Sequence, residues 1–347
     1  MSLDKLPIPG FCRFQEADKW TYQIDYGQLF EVASVFRDKF GVGSIAANQP
    51  RINLLLIDTQ KDFTLKEGSL YVGGRSGEGA IEDSKRTAAF IYENLKYIYN
   101  IYSSYDTHTA LQIFFPTFWE TSKGEPVEAH TVITSKDLRD GKYRPNAELA
   151  HLCSDNADYL MNYAVNYCER LELAGKYQLY IWPFHCIVGS EGHSMNGIIQ
   201  EAVTFHSFAR RSQTCFEMKG TNPWTENYSV FSPEVLYDHD GQSLGSRNSD
   251  LFDELFKSDV LVIAGQALSH CLSSSVDDLI EEAAVRNPKF LEKIYLLEDC
   301  MSAVVVPGVA DFTPQAETAI KRYKNLGINI VQSNQPIKQW PGISKLI

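Results

Sequence analysis

Two kinds of apolar pattern alternate along the chain. Short unbroken runs, such as Ile52-Asn-Leu-Leu-Leu-Ile57 and Val260-Leu-Val-Ile-Ala264, are followed by longer segments with helical spacing. Continuous runs of this length suit parallel strands buried on both faces. Strands are expected at residues 52–57, 98–105, 177–182, 215–220, 260–264, 293–298 and 328–332. Helices are expected at 28–40, 82–97, 156–174, 195–209, 250–257, 272–284 and 313–325. Strands and helices taking turns in this way predict an α/β fold, a three-layer α/β/α arrangement around an open, mostly parallel sheet. Residues 1–50 read as an N-terminal extension and 51–347 as a single domain carrying an insertion at about 109–176. Within the insertion, Thr131-Val-Ile-Thr134 and Lys142-Tyr-Arg144 flank polar 137–141 and are expected to pair as a hairpin. The aromatic cluster Phe114, Phe115, Phe118 and Trp119 reads first as core.

Composition narrows the function classes. Of 347 residues 44% are apolar, yet no stretch approaches the ~20 needed to cross a bilayer. The net charge is −12 and no basic run stands out, so neither nucleic acid nor an anionic membrane surface is an expected partner. Seven cysteines lack disulfide-like or Cys-x-x-Cys spacing, and the N-terminus has no apolar signal core. A reduced, cytoplasmic protein is expected. A homo-oligomer is left open.

Candidate chemistry gathers where strands end. The run 260–264 stops at Gly265, and a short polar turn leads to Cys271 at the start of a helix. Unpaired N–H groups and the helix dipole favour a thiolate there, the reactive form of cysteine. The alternative is an inert core thiol. Asp58 ends the first strand, where open α/β sheets bind ligands, although an Asp there also serves as a turn former. Asp106 and His108 sit two apart on extended chain, so both side chains share a face and can share a metal ion. His185, presented after Pro183, is the natural third ligand. Lys219, at another strand end, would tune a nearby carboxylate and cysteine and stabilise developing negative charge. Phe63 and Trp224 could pack on a substrate ring, or simply in the core.

In this order the segments resemble the isochorismatase-like cysteine hydrolases, and within them the nicotinamidases. The resemblance rests on Leu54-Leu-Leu-Ile-Asp58-Thr-Gln-Lys-Asp-Phe63, Asp106-Thr-His108, Trp182-Pro-Phe-His185-Cys-Ile-Val-Gly189-Ser-Glu-Gly192, Lys219-Gly220 and Gly265-Gln-Ala-Leu-Ser-His-Cys271. It covers roughly residues 52–108 and 177–333. Gln266 stands where the family has a small apolar residue, and Leu268 where it has Thr. The resemblance implies a catalytic triad of Asp58, Lys219 and Cys271, and one divalent ion on Asp106, His108 and His185. Zinc is the first choice, with iron or manganese also suited to the donors. It further implies a cis peptide at Gln266–Ala267 and an oxyanion hole from the N–H groups of Ala267 and Cys271. Phe63, Trp224 and Gln266 would border the substrate pocket. The expected activity is hydrolysis of nicotinamide to nicotinate and ammonia through a thioester. The alternatives are hydrolysis of another small amide or carbamoyl compound, and a non-catalytic binding protein on the same fold.

Overall fold

Alternate residues of the first strand, β1 (Ile52–Ile57), enter two different hydrophobic cores: Leu54 and Leu56 face one, Leu55 and Ile57 the other. The two-residue repeat of a strand produces this split, and explains why the run is apolar throughout. The computed structural model describes residues 4–46, 49–152, 156–175 and 177–347. Five further strands extend the sheet: β2 (Ile98–Asp106), β3 (Cys215–Lys219), β4 (Val260–Gly265), β5 (Ile294–Leu297) and β6 (Asn329–Val331). Their order is β6-β5-β4-β1-β2-β3, and every neighbouring pair is parallel.

The longer helices are α1 (Tyr26–Phe40), α2 (Gly79–Glu93), α3 (Ala157–Ala174), α4 (Gly197–Arg210), α5 (Ser249–Leu255), α6 (Cys271–Arg286) and α7 (Thr313–Asn325). Buried residues of α1, α2 and α4 fill the first core; those of α3, α5, α6 and α7 fill the second. The three-layer expectation therefore holds. None of these helices is long and apolar enough to cross a membrane.

The chain runs outward from β1 through β2 to β3. It then returns to the other side of β1 as β4 and runs outward again to β5 and β6. The strand order reverses between β1 and β4. At such a reversal the connections diverge and leave a crevice beyond the carboxyl ends of the strands.

The segment 109–176 departs from its expected form. Its two short strands do not pair with each other. Val132–Ile133 pairs with Leu179–Tyr180, and Tyr143–Pro145 pairs with Trp119–Thr121. The polar stretch between them is a helix, Ser135–Arg139, opened by a capping box of Thr134 and Asp137. Those reciprocal side-chain bonds satisfy two N–H groups at the helix start, which favours a helix over a hairpin turn. The strand expected at 177–182 shortens to Leu179–Tyr180 and joins this insertion rather than the main sheet.

Candidate active site

The crevice gathers the charged residues singled out by the sequence. Parallel register aligns Ile57 with Gly265 and Asp106 with Lys219. Asp58 and the turn before Cys271 therefore leave the sheet side by side, with Lys219 beyond Asp106. The Lys219 ammonium lies 2.9 Å from Asp58 Oδ2 and 2.9 Å from Asp106 Oδ1. It donates to Asn227 O at 2.8 Å and stands 3.6 Å from Cys271 Sγ. Asp58 adopts a positive φ of 45°. Ser104 holds it there, its Oγ donating to Asp58 Oδ1 at 2.6 Å and accepting from Asp58 N at 3.0 Å.

All three groups are buried, and burial decides their protonation together with their neighbours. It would lower Lys219, but Asp106, Asp58 and Cys271 outweigh it and hold the ammonium well above its ordinary range. Burial raises Asp58, helped by Asp106 and opposed by Lys219 and Ser104. Burial also raises the Cys271 thiol well above normal, against the pull of Lys219, while Asp58 and Asp106 push it further up. This corrects the expectation that the helix terminus favours a thiolate. Loss of solvation and two nearby carboxylates act against a thiolate at Cys271, whatever the helix terminus contributes.

The turn ahead of Cys271 is tightly built. Gly265 has φ +119°, and a Cβ there would meet Ile57 O at 2.1 Å, so only glycine fits. The Gln266–Ala267 peptide is cis. His270 N and Leu272 N both donate to Ala267 O, at 3.0 and 3.1 Å. Among the described residues, the N–H groups of Ala267 and Cys271 have no hydrogen-bond acceptor. Both residues line the pocket.

Asp106, His108 and His185 converge beside this group. Their ligand atoms all lie within 4.8 Å of one another, and all three side chains are buried. His108 Nε2 is 2.8 Å and His185 Nε2 3.5 Å from Asp106 Oδ2. The far ring nitrogens face carbonyls: His185 Nδ1 is 2.8 Å from Pro183 O, and His108 Nδ1 is 3.3 Å from Gly220 O. Donation from Nδ1 leaves each Nε2 lone pair free, the tautomer a metal ligand requires. Burial also lowers His108, favouring its neutral form. One carboxylate and two such imidazoles fit a divalent metal ion. Gly220 makes the arrangement fit sterically, since a Cβ there would lie 2.7 Å from His108 Cε1 and 3.0 Å from Asp106 Oδ1.

The pocket above these groups is mostly apolar. Phe63 lines it, together with Phe114, Trp182, Tyr228, His270 and Glu226. Trp224 and Gln266, expected at the pocket, are not part of its wall. Trp224 packs between Phe118 and Tyr163 in the core of the insertion, ring centroids 5.8 Å away in each case. Gln266 turns from the pocket, its Nε2 donating to Asp83 Oδ2 at 2.9 Å.

Several participants were not foreseen. Gln60 pairs with the backbone of Asp106 in both directions, Nε2 to Asp106 O at 2.8 Å and Asp106 N to Oε1 at 2.7 Å. Its position two residues after Asp58 was a usable signal, as was that of Ser104 two residues before Asp106 on the same strand face. Glu226 carried none. It is buried against Tyr228, whose hydroxyl donates to Oε1 at 2.7 Å. Burial lifts its carboxyl to about 8.

No protein-family model matches the chain, and no curated protein matches its sequence. Among solved structures it is similar to the yeast nicotinamidase Pnc1p, with 17% identity over 80% of this chain and 98% of that one and a TM-score of 0.48. It is similar to a nicotinamidase/pyrazinamidase of Acinetobacter baumanii, with 16% identity over 82% and 98% of the two chains and a TM-score of 0.48. It is also similar to the pyrazinamidase of Pyrococcus horikoshii in complex with zinc, with 17% identity over 82% and 99% and a TM-score of 0.44. Likeness of this degree concerns the course of the backbone and carries nothing about what is bound or hydrolysed.

Proposed function

We propose that the protein is a metal-containing cysteine amidohydrolase of the isochorismatase-like kind that hydrolyses nicotinamide to nicotinate and ammonia. The observation that carries this reading is the position of Lys219, whose ammonium touches Asp58, Asp106 and the Cys271 thiol at once. It joins a nucleophile and a base to a metal-type trio. Asp58 takes the Cys271 proton, and the thiolate adds to the amide carbonyl carbon. The carbonyl oxygen becomes an oxyanion, which the N–H groups of Ala267 and Cys271 are free to receive. Asp58 returns the proton to the departing nitrogen, and ammonia leaves a thioester. Asp58 then deprotonates water, whose oxygen attacks the thioester carbon. The carboxylic acid departs and sulfur recovers its proton. Lys219 offsets the negative charge at each stage.

Asp106, His108 and His185 would hold the divalent ion, with zinc the first choice and iron or manganese compatible with the same donors. When bound, it supplies a Lewis-acid anchor for the substrate's ring nitrogen. Phe63 and Phe114 would cover the ring faces.

A second reading, hydrolysis of another small amide or carbamoyl compound, is favoured by Glu226 and Tyr228. They put polar groups on the pocket wall that a plain pyridine ring does not need. Ammonia release from nicotinamide and a panel of small amides separates the two readings. Release from nicotinamide is expected, with Cys271→Ala slower by at least about three orders of magnitude and His185→Ala poorer in bound metal. Turnover of another amide with none of nicotinamide would exchange the first reading for the second. Turnover that survives Cys271→Ala would sink both.

A further inference from the structure

A hydrogen-bond clamp that the chemistry above does not use grips the turn between β4 and Cys271 from the side. Gln266, at its centre, is buried. Its Nε2 donates to Asp83 Oδ2 at 2.9 Å, and its Oε1 accepts from Ser302 N at 3.3 Å. Ser302 Oγ donates to the same Asp83 oxygen at 2.6 Å. Asp83 Oδ1 receives Arg86 Nη2 at 2.9 Å. Ser302 O, in turn, accepts from Leu268 N at 2.8 Å, and Ser269 Oγ accepts from Val304 N at 3.0 Å. Asp83 from α2 and Ser302 from the segment after β5 thus close a ring of bonds around Gln266. Ser302 and Val304 continue the grip along residues 268 and 269.

Burying a carboxylate here has a price that apolar packing would avoid, because charge and amide must both leave water. Asp83 is buried all the same, and burial pushes its carboxyl up against the donors from Ser302, Gln266 and Arg86. What such a network adds over apolar contacts is direction. Each bond fixes an atom to within a narrow distance and angle. The residues it fixes are 266, 268 and 269, which surround Ala267 and lead to Cys271. Oxyanion donors act only when they lie about 2.7–3.1 Å from the developing charge, and misplacement by roughly 1 Å costs about 100-fold. Phe63, Phe114 and Trp182, on other walls of the pocket, lie outside this ring of bonds.

We propose that Gln266, Asp83 and Ser302 are positioning residues whose hydrogen bonds aim the Ala267 and Cys271 N–H groups at the reacting carbonyl oxygen. This rests on the amidohydrolase reading.

The test exchanges acid and amide across the clamp. Gln266→Glu sets a second carboxyl against Asp83, while the double variant Gln266→Glu/Asp83→Asn restores one donor facing one acceptor with the roles reversed. Two readouts are taken on wild type and variants: kcat and KM for an amide the wild type hydrolyses, and affinity for pyridine-3-carboxaldehyde. The aldehyde adds to a thiol without turnover. A C–S bond forms, and the thiol proton ends on the former carbonyl oxygen, which occupies the oxyanion position. Gln266→Glu is expected to lower kcat and weaken aldehyde affinity by roughly 10- to 100-fold with KM within about threefold. The double variant should recover most of both. If Gln266→Glu does not fold by thermal melt, Gln266→Met carries the same comparison. Unchanged kcat and aldehyde affinity in the folded single variant, or a double variant no better than the single, would overturn the clamp. A wild type that hydrolyses no amide defeats the functional reading instead, and the aldehyde arm still decides the clamp.

Discussion

The carboxyl edge of the sheet and the segment 109–176 meet over one pocket but are held together by different forces. At the edge, one buried ammonium balances two buried carboxylates, and Ser104 and Asn227 add directed bonds to Asp58 and Lys219. Across the pocket, rings pack on rings: Phe114 lies 4.8 Å from Phe115 and 4.9 Å from His108, and Phe118 lies 5.3 Å from Trp119. Directed partners cannot be replaced by bulk, whereas packed rings care mainly about volume. The edge should therefore fail all at once when a charge is removed. The insertion should weaken in proportion to the volume lost.

Three substitutions probe that contrast. The largest effect is expected for Lys219→Met, which leaves Asp58 and Asp106 buried without their cation. Removing one partner of a buried ionic group costs about 3–5 kcal/mol, and turnover should disappear with it. Denaturant unfolding and an activity assay decide the matter; an unshifted midpoint with turnover retained would show that the edge is not an ionic unit.

Next comes Phe118→Ala, in the aromatic core. A cavity there should lower stability by roughly 3–4 kcal/mol. The folded fraction should keep kcat within a few-fold, because Phe118 touches no proposed reacting group. A kcat loss as deep as that of Lys219→Met would erase the distinction between the two regions.

The smallest effect, and the most informative about sign, concerns Glu226, which stands between the regions. Its carboxyl is raised from 4.5 to about 8 by burial. The folded protein keeps this proton while the unfolded chain releases it from about pH 4.5 upward. Unfolding therefore gains as pH rises from about 4.5 to about 8, and stability falls across that window. Glu226→Gln should flatten this part of the profile, measured as the urea midpoint at pH 5.5 and pH 8. An equally steep fall in the variant would assign it to other groups.

The same contrast explains what was legible in the chain. The edge announces itself because its two central strands, β1 and β4, are unbroken buried runs, and because Asp58, Asp106 and Lys219 fall at strand ends. Asp58, Asp106, His108 and Lys219 could thus be placed before any contact was known. The insertion hides its form because its strands are only two or three residues long and find partners far away in sequence, Val132 with Tyr180 and Trp119 with Pro145. Such pairing is set by tertiary packing and leaves no periodic trace. Trp224 was misplaced for a related reason, since an aromatic residue in a loop reads alike whether it faces a ligand or a core. Gln266 reads as a pocket residue only through the resemblance, as the residue that stands where the family has a small apolar one. Its partners, Asp83 and Ser302, lie on separate elements that no local pattern connects.

Gly220 carries a consequence for how this site can vary. Directly after Lys219, the chain passes so close to His108 and Asp106 that one added carbon would press on both. The lysine and the imidazole cannot drift independently: a substitution that shifts the end of β3 displaces the cation and crowds the metal-type ligands in the same step. Even the mildest replacement, alanine, is a double hit. Variation at this corner is confined to changes that move two chemical centres together, which makes it a far narrower passage than the pocket wall opposite.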